Sequence, residues 1–110
     1  MVINMKSETP LACNMDVFTP AQRELHIQTT RQLFQTVQNI QQAENGFEFT
    51  LPNGTDLIKI GEFILNERRC CPFLKFTLAI DSDPKPITLL LSGPQGTQEF
   101  LREEFSEAFA

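Results

Sequence analysis

Three thiols, Cys13, Cys70 and Cys71, are where this chain could do chemistry, and two of them are sequence neighbours. Adjacent residues hold their α-carbons about 3.8 Å apart across a trans peptide. An ordinary disulfide needs roughly 4.4–6.8 Å, so a Cys70–Cys71 bond would distort its peptide, and the pair reads as two thiols. Inside a helix neighbouring side chains diverge by about 100°, which would aim the sulfurs apart. Pro72 changes this, because it pushes Cys71 out of the helical region and can re-aim both sulfurs into one space. Such a pair, joined by Cys13 if the start of the chain lies alongside, makes a soft site. It would favour mercury(II), arsenite or copper(I) over magnesium or calcium. Adding His26 would complete a four-ligand zinc sphere, although the usual paired-cysteine zinc spacings are not present. Beside this stands a plainer reading, in which all three cysteines are buried and act as small apolar side chains.

A thiol nucleophile is the alternative chemistry. The carboxyl end of a helix carries negative partial charge and raises a thiol pKa, which weighs against it; Arg68 and Arg69 could offset the effect. In that reading Cys70 or Cys71 attacks while Glu67 or His26 assists as a base. Glu67 lies one turn before Cys71 on the same helical face. The competing expectation for Glu67 is a partly exposed carboxylate paired with Arg68 or Arg31. For His26 it is a core histidine bonded to backbone. Gly93-Pro94-Gln95-Gly96 precedes a helix but lacks the lysine and the length of a phosphate loop, so it reads as a plain strand-to-helix turn.

The elements that must position these residues can be read in order. Residues 1–10 form a loose lead-in, and residues 11–110 a single domain. Leu11–Met15 is expected as a short first strand. Thr19-Pro20 with Gln22 makes a helix start with a capping box, and Leu33, Phe34, Val37 and Ile40 carry its apolar stripe to about Gln42. Asn45-Gly46 ends that helix. Phe47–Leu51 alternates as a half-buried strand. Thr55 or Asp56 caps a second helix with Leu57, Ile60, Gly61 and Ile64 inward, and Pro72 ends it. Phe73–Ile80 and the very apolar Ile87–Leu91 are spaced to pair as an antiparallel hairpin. A last helix turns Phe100, Leu101, Phe105 and Ala108 inward; were that stripe exposed, it would mark a dimer surface. The order is β-α-β-α-β-β-α. It predicts an α+β domain with a sheet of about four strands and helices packed on one face.

Bulk composition narrows the function classes. The chain has 110 residues and 41% hydrophobic content, enough for one core. Its ten phenylalanines, with no tyrosine or tryptophan, are packing residues. A net charge of −5 argues against direct binding of nucleic acid or anionic lipid. No apolar run approaches the roughly 20 residues of a membrane span, and the first residues lack a secretory pattern. An odd cysteine count points away from a secreted disulfide framework and toward a reducing cytoplasm.

The string Glu67-Arg-Arg-Cys70-Cys71-Pro72-Phe73-Leu-Lys-Phe76 resembles the E-x-x-C-C-P-F-x-x-F signature of a family of small bacterial proteins. These stand alone or form tails on regulators of the mercury-resistance (MerR) type. Ala12-Cys13, Gly46-Phe47-Glu-Phe49 and Leu91-Ser-Gly93-Pro94-Gln-Gly96 with Glu99-Phe100-Leu101 are similar to the family's too, so the resemblance spans about residues 11 to 102. It implies a compact α+β domain and, through the regulator link, sensing of a thiophilic metal or small effector. The positions it singles out are Cys13, Glu67, Cys70, Cys71, Pro72 and Phe73. A winged helix-turn-helix region is not expected within 110 residues, so any DNA role would be indirect.

Taken together, the leading expectation is a non-enzymatic cytoplasmic domain that binds a soft metal ion or thiol-reactive ligand through Cys70 and Cys71 with Cys13, in sensing or buffering. A thiol enzyme of redox, lyase or hydrolase type is the first alternative. A structural module with inert cysteines, often a homodimer, is the second.

Overall fold

A computed structural model describes residues 11–109; the lead-in expected over residues 1–10 lies outside them. The described chain folds as an α+β domain. A 3-10 turn at Met15–Val17 precedes α1 (Pro20–Phe34). Then come β1 (Asn39–Ala43), β2 (Gly46–Leu51), α2 (Leu57–Cys70), β3 (Lys75–Ile80), β4 (Ile87–Ser92), α3 (Thr97–Glu104) and a short α4 (Ser106–Phe109). The four strands form one antiparallel sheet in the order β1-β2-β4-β3.

The sequence explains the centre of this sheet. In β2 and β4 the register sets Phe47 against Leu91, Phe49 against Leu89 and Leu51 against Ile87, and all six side chains are buried. They face the helices, while Glu48 and Thr50 alternate to the other side. Over this face the rings of Phe34, Phe49, Phe63 and Phe105 meet. Phe34 stacks on Phe105 with centroids 4.4 Å apart and meets Phe49 and Phe63 edge-on at 5.1 and 5.3 Å. Such pairs add to the stabilisation that comes from area burial alone. No helix among the described residues is long and apolar enough to cross a membrane.

The helix starts follow the expected chemistry. Thr19 accepts from the Gln22 amide while Gln22 reaches back to the Thr19 amide, a complete capping box with Pro20 at the first turn. Asp56 accepts from the amide of Ile58 to open α2. At the other end of α2, Cys71 has φ −121° and ψ 74°, outside the helical region as a residue before proline must be.

Two local expectations differ from the structure. Leu11–Met15 is not a strand; the sheet's first strand is Asn39–Ala43, which the sequence reading had placed in the helix running to Gln42. Val37 and Ile40 both pack against the core, and their spacing fits a helix as well as a loop leading into a strand. Thr36 settles the choice locally, since its hydroxyl donates to the Leu33 carbonyl at 2.7 Å. The amide of Gln38 then donates to Thr50 O at 2.8 Å, which begins the strand pairing. Asn45-Gly46 accordingly turns a hairpin and ends no helix. Asn45 takes a positive φ of 51°, a conformation asparagine tolerates. A β-carbon on Gly46 would collide with the Leu91 carbonyl of the neighbouring strand.

Candidate functional site: a cluster of sulfur and carboxylate

The buried stripe of α2 is Ile60, Phe63, Glu67 and Cys70, at helical spacing. Of the inward stripe expected from Leu57, Ile60, Gly61 and Ile64, Ile60 is buried and Ile64 packs against the core, while Leu57 and Gly61 face solvent. The same face carries Glu67 into the interior. Its side chain is 2% exposed, and its partner is His26 from α1, with Nε2 of His26 2.8 Å from Oε1 of Glu67. The expectation of a partly exposed Glu67 paired with arginine is corrected. So is that of a His26 bonded to backbone, since its recorded partner is this carboxylate. Phe18 and Phe63 flank the imidazole at centroid distances of 5.3 and 6.0 Å.

Cys13 reaches the same place because the segment before α1 is fastened to the end of α2. The Asn14 amide donates to the Cys70 carbonyl at 2.7 Å. Arg69 donates to the Val17 carbonyl at 3.0 Å and lies over the Phe18 ring. Cys13 and Cys71 are joined by a disulfide, with α-carbons 4.4 Å apart. The sequence reading disfavours a bond between the adjacent cysteines as strained, and none forms there. It did not foresee that Cys71 would bond to Cys13. Cys70 remains a free, buried thiol, its sulfur 3.7 Å from that of Cys71.

Glu67 lies at the centre of the sulfurs. Its Oε2 is 3.2 Å from Cys71 Sγ and 3.9 Å from Cys13 Sγ, and its Oε1 is 3.9 Å from Cys70 Sγ. Glu104 of α3 adds a second carboxylate 3.8 Å from Cys13 Sγ. The ligand atoms of Cys13, Glu67, Cys70 and Cys71 all fall within 4.8 Å of one another, a grouping that could hold a metal ion. Tetrahedral zinc–sulfur bonds of about 2.3 Å imply sulfur–sulfur edges of about 3.8 Å. The Cys70–Cys71 separation of 3.7 Å fits that edge, whereas the bonded sulfurs of Cys13 and Cys71 must part to reach it. His26 is outside the group; it holds Glu67, as an outer partner holds a ligating carboxylate. Pro72 and Phe73 sit beside the cluster: Pro72 fixes the backbone of Cys71, and Phe73 packs edge-on against Phe100 at 4.8 Å.

Charge and burial oppose ionisation here. Burial, and then the negative charge of Glu67, push the Cys70 thiol up to about 12. The Glu104 carboxyl, at the lip of an adjoining cavity, is raised by desolvation and by Glu67, with His26 acting in the opposite sense. An unfolded thiol ionises near 8.5. The stability contributed by keeping Cys70 neutral is thus full below that value and is lost as pH climbs toward 12. Iodoacetamide labelling of the oxidised protein, followed by mass spectrometry, should therefore leave Cys70 unmodified through pH 9. A labelling midpoint near 8.5 in the folded protein would contradict this.

No protein-family model, curated protein or solved structure matches the chain.

Proposed function

We propose that the protein, once its disulfide is reduced, binds one soft metal ion in sensing or buffering, with Cys13, Cys70 and Cys71 as sulfur ligands. Glu67 is the fourth donor and His26 orients it. The observation that carries this reading is the convergence of three sulfurs and a carboxylate oxygen within 4.8 Å. Thiolate ligands select mercury(II), copper(I) or arsenic(III) over hard cations, and a third sulfur with a carboxylate also admits zinc. The resemblance of the Glu67–Phe76 string to tails of mercury-resistance type regulators agrees with this ligand class. Oxidation to the Cys13–Cys71 disulfide withdraws two of the three sulfurs, so the oxidised chain is the form that does not bind.

The helix-end location and the high Cys70 pKa count against a nucleophilic thiol enzyme. The Cys13–Cys71 disulfide favours one second reading, thiol–disulfide exchange at those two sulfurs, with Cys70 held neutral beside them.

Titration under anaerobic conditions tests the main reading. The chain has no tyrosine or tryptophan, so thiolate-to-metal absorption can be followed without interference from them. The reduced full chain should bind mercury(II) at one equivalent, and the variant carrying Cys70→Ser and Cys71→Ser should lose that site. Unchanged stoichiometry and affinity in the variant would end the proposal.

A further inference from the structure

A cavity of about 200 Å³ opens against the cluster. Its walls are apolar where Met15, Ile27, Phe34, Phe105 and Ala108 line it, and its acidic side is made by Glu67 and Glu104. Those same two carboxylates touch the sulfurs, Glu67 Oε2 at 3.2 Å from Cys71 Sγ and Glu104 Oε2 at 3.8 Å from Cys13 Sγ. The cavity is thus separated from the thiols by the width of one carboxylate. His26 and Thr30 also line it, and His26 Nδ1 and Thr30 Oγ1 are buried and without a hydrogen-bond partner among the described residues. Arg31, also on the lining, faces Glu107 at 3.9 Å.

This arrangement selects for an occupant. A free anion would meet Glu67 and Glu104. A bare metal ion uses the sulfurs and leaves the apolar walls without contacts. What fits both halves is a ligand with an electron-poor soft atom at one end and a small apolar group at the other. A cavity of about 150 Å³ is enough to hold benzene, so one ring can be accommodated in 200 Å³.

We propose that the cavity seats the organic group of a monosubstituted soft-element compound, an aryl arsenic(III) or arylmercury species, whose soft atom is held by the cluster sulfurs. The inference rests on the soft-metal reading above and names its ligand class. With phenylarsine oxide the chemistry balances without an oxidant. Two cysteine thiols form two arsenic–sulfur bonds, and the oxide oxygen leaves as water with both thiol protons. Arsenic stays trivalent and keeps its phenyl group, which extends past Glu67 and Glu104 into the cavity.

The test compares arsenite and phenylarsine oxide on the reduced full chain and on Thr30→Phe, which fills the cavity without touching a sulfur ligand. Phenylarsine oxide affinity should fall roughly tenfold or more in Thr30→Phe, the size expected for losing burial of one ring face. Arsenite affinity should stay at the wild-type value, which also shows that the variant is folded. Should Thr30→Phe lose arsenite binding as well, Ala108→Phe in the short terminal helix fills the cavity from its other side and decides the matter. Phenylarsine oxide binding that is insensitive to a filled cavity, with arsenite binding intact, overturns this inference alone. Failure of the reduced wild type to bind arsenite at all overturns the soft-metal reading and this inference with it.

Discussion

Reducing the Cys13–Cys71 bond is expected to lower the unfolding free energy by about 4 kcal/mol, the chain-entropy value for a closed loop of this size. The two cysteines are 58 residues apart in sequence, so the bond closes more than half of the chain into one ring. The effect acts on the unfolded ensemble. In the folded state the Asn14–Cys70 and Arg69–Val17 hydrogen bonds also fasten the Cys13 segment to α2. Domains of this size have only about 5–15 kcal/mol of net stability, so the loss is a large share. Parallel urea unfolding with and without reductant measures it, and the denaturant slope should rise on reduction because the opened chain exposes more surface. Cys13→Ser should reproduce the reduced stability and ignore reductant. A wild-type midpoint that does not move on reduction would mean that the folded protein does not hold this bond.

The second large effect is expected at the Glu67–His26 pair. His26→Leu should destabilise the protein by roughly 3–5 kcal/mol, because it strands a buried carboxylate from its strongest partner. The side chains are 2% and 4% exposed, which leaves little water to take the place of the imidazole. The other polar neighbours of Glu67 in the cluster are sulfurs, of which Cys70 is a thiol and so a weak donor, while the disulfide sulfurs of Cys13 and Cys71 carry no hydrogen. Replacing both members, with His26→Leu and Glu67→Met together, should recover much of the loss, since two apolar groups of similar size leave no polar atom unsatisfied. A double-mutant cycle in urea measures the coupling. Additive losses would show that the two side chains do not depend on each other.

How much of this was legible beforehand depends on which physical signal each element carries. The capping box at Thr19, the proline stop at Pro72 and the β3–β4 hairpin are local, and the sequence alone marks them. The α+β class follows from them. Asn39–Ala43 was not legible because NIQQA has one strongly apolar residue, and its strand character comes from pairing with β2. The convergence of Cys13 on Cys70 and Cys71 was legible only as a condition, since it rests on contacts across most of the chain. Glu67 was legible as a carboxylate on the Cys71 face of α2, but its burial was not, for a specific reason. A charged residue one turn from Phe63 on a helix reads as partly exposed unless a partner is known. That partner, His26, is 41 residues away. The signal available was His26 itself, the chain's single histidine, on the apolar side of α1 with no local residue to satisfy it. Glu104 and the cavity carried no sequence signal, as they depend on how α3 docks.

The covalent ring described above also decides how the domain would respond to mechanical load. A tug on the chain ahead of Cys13 bypasses α1 and the β1–β2 hairpin and is borne directly by the carboxyl end of α2, where Cys71 is anchored. While the sulfurs are joined, everything between them is shielded from stretching, and only the portion after Cys71 can lengthen under tension. Once they part, the same tug runs through α1 first, the helix that presents His26 to Glu67.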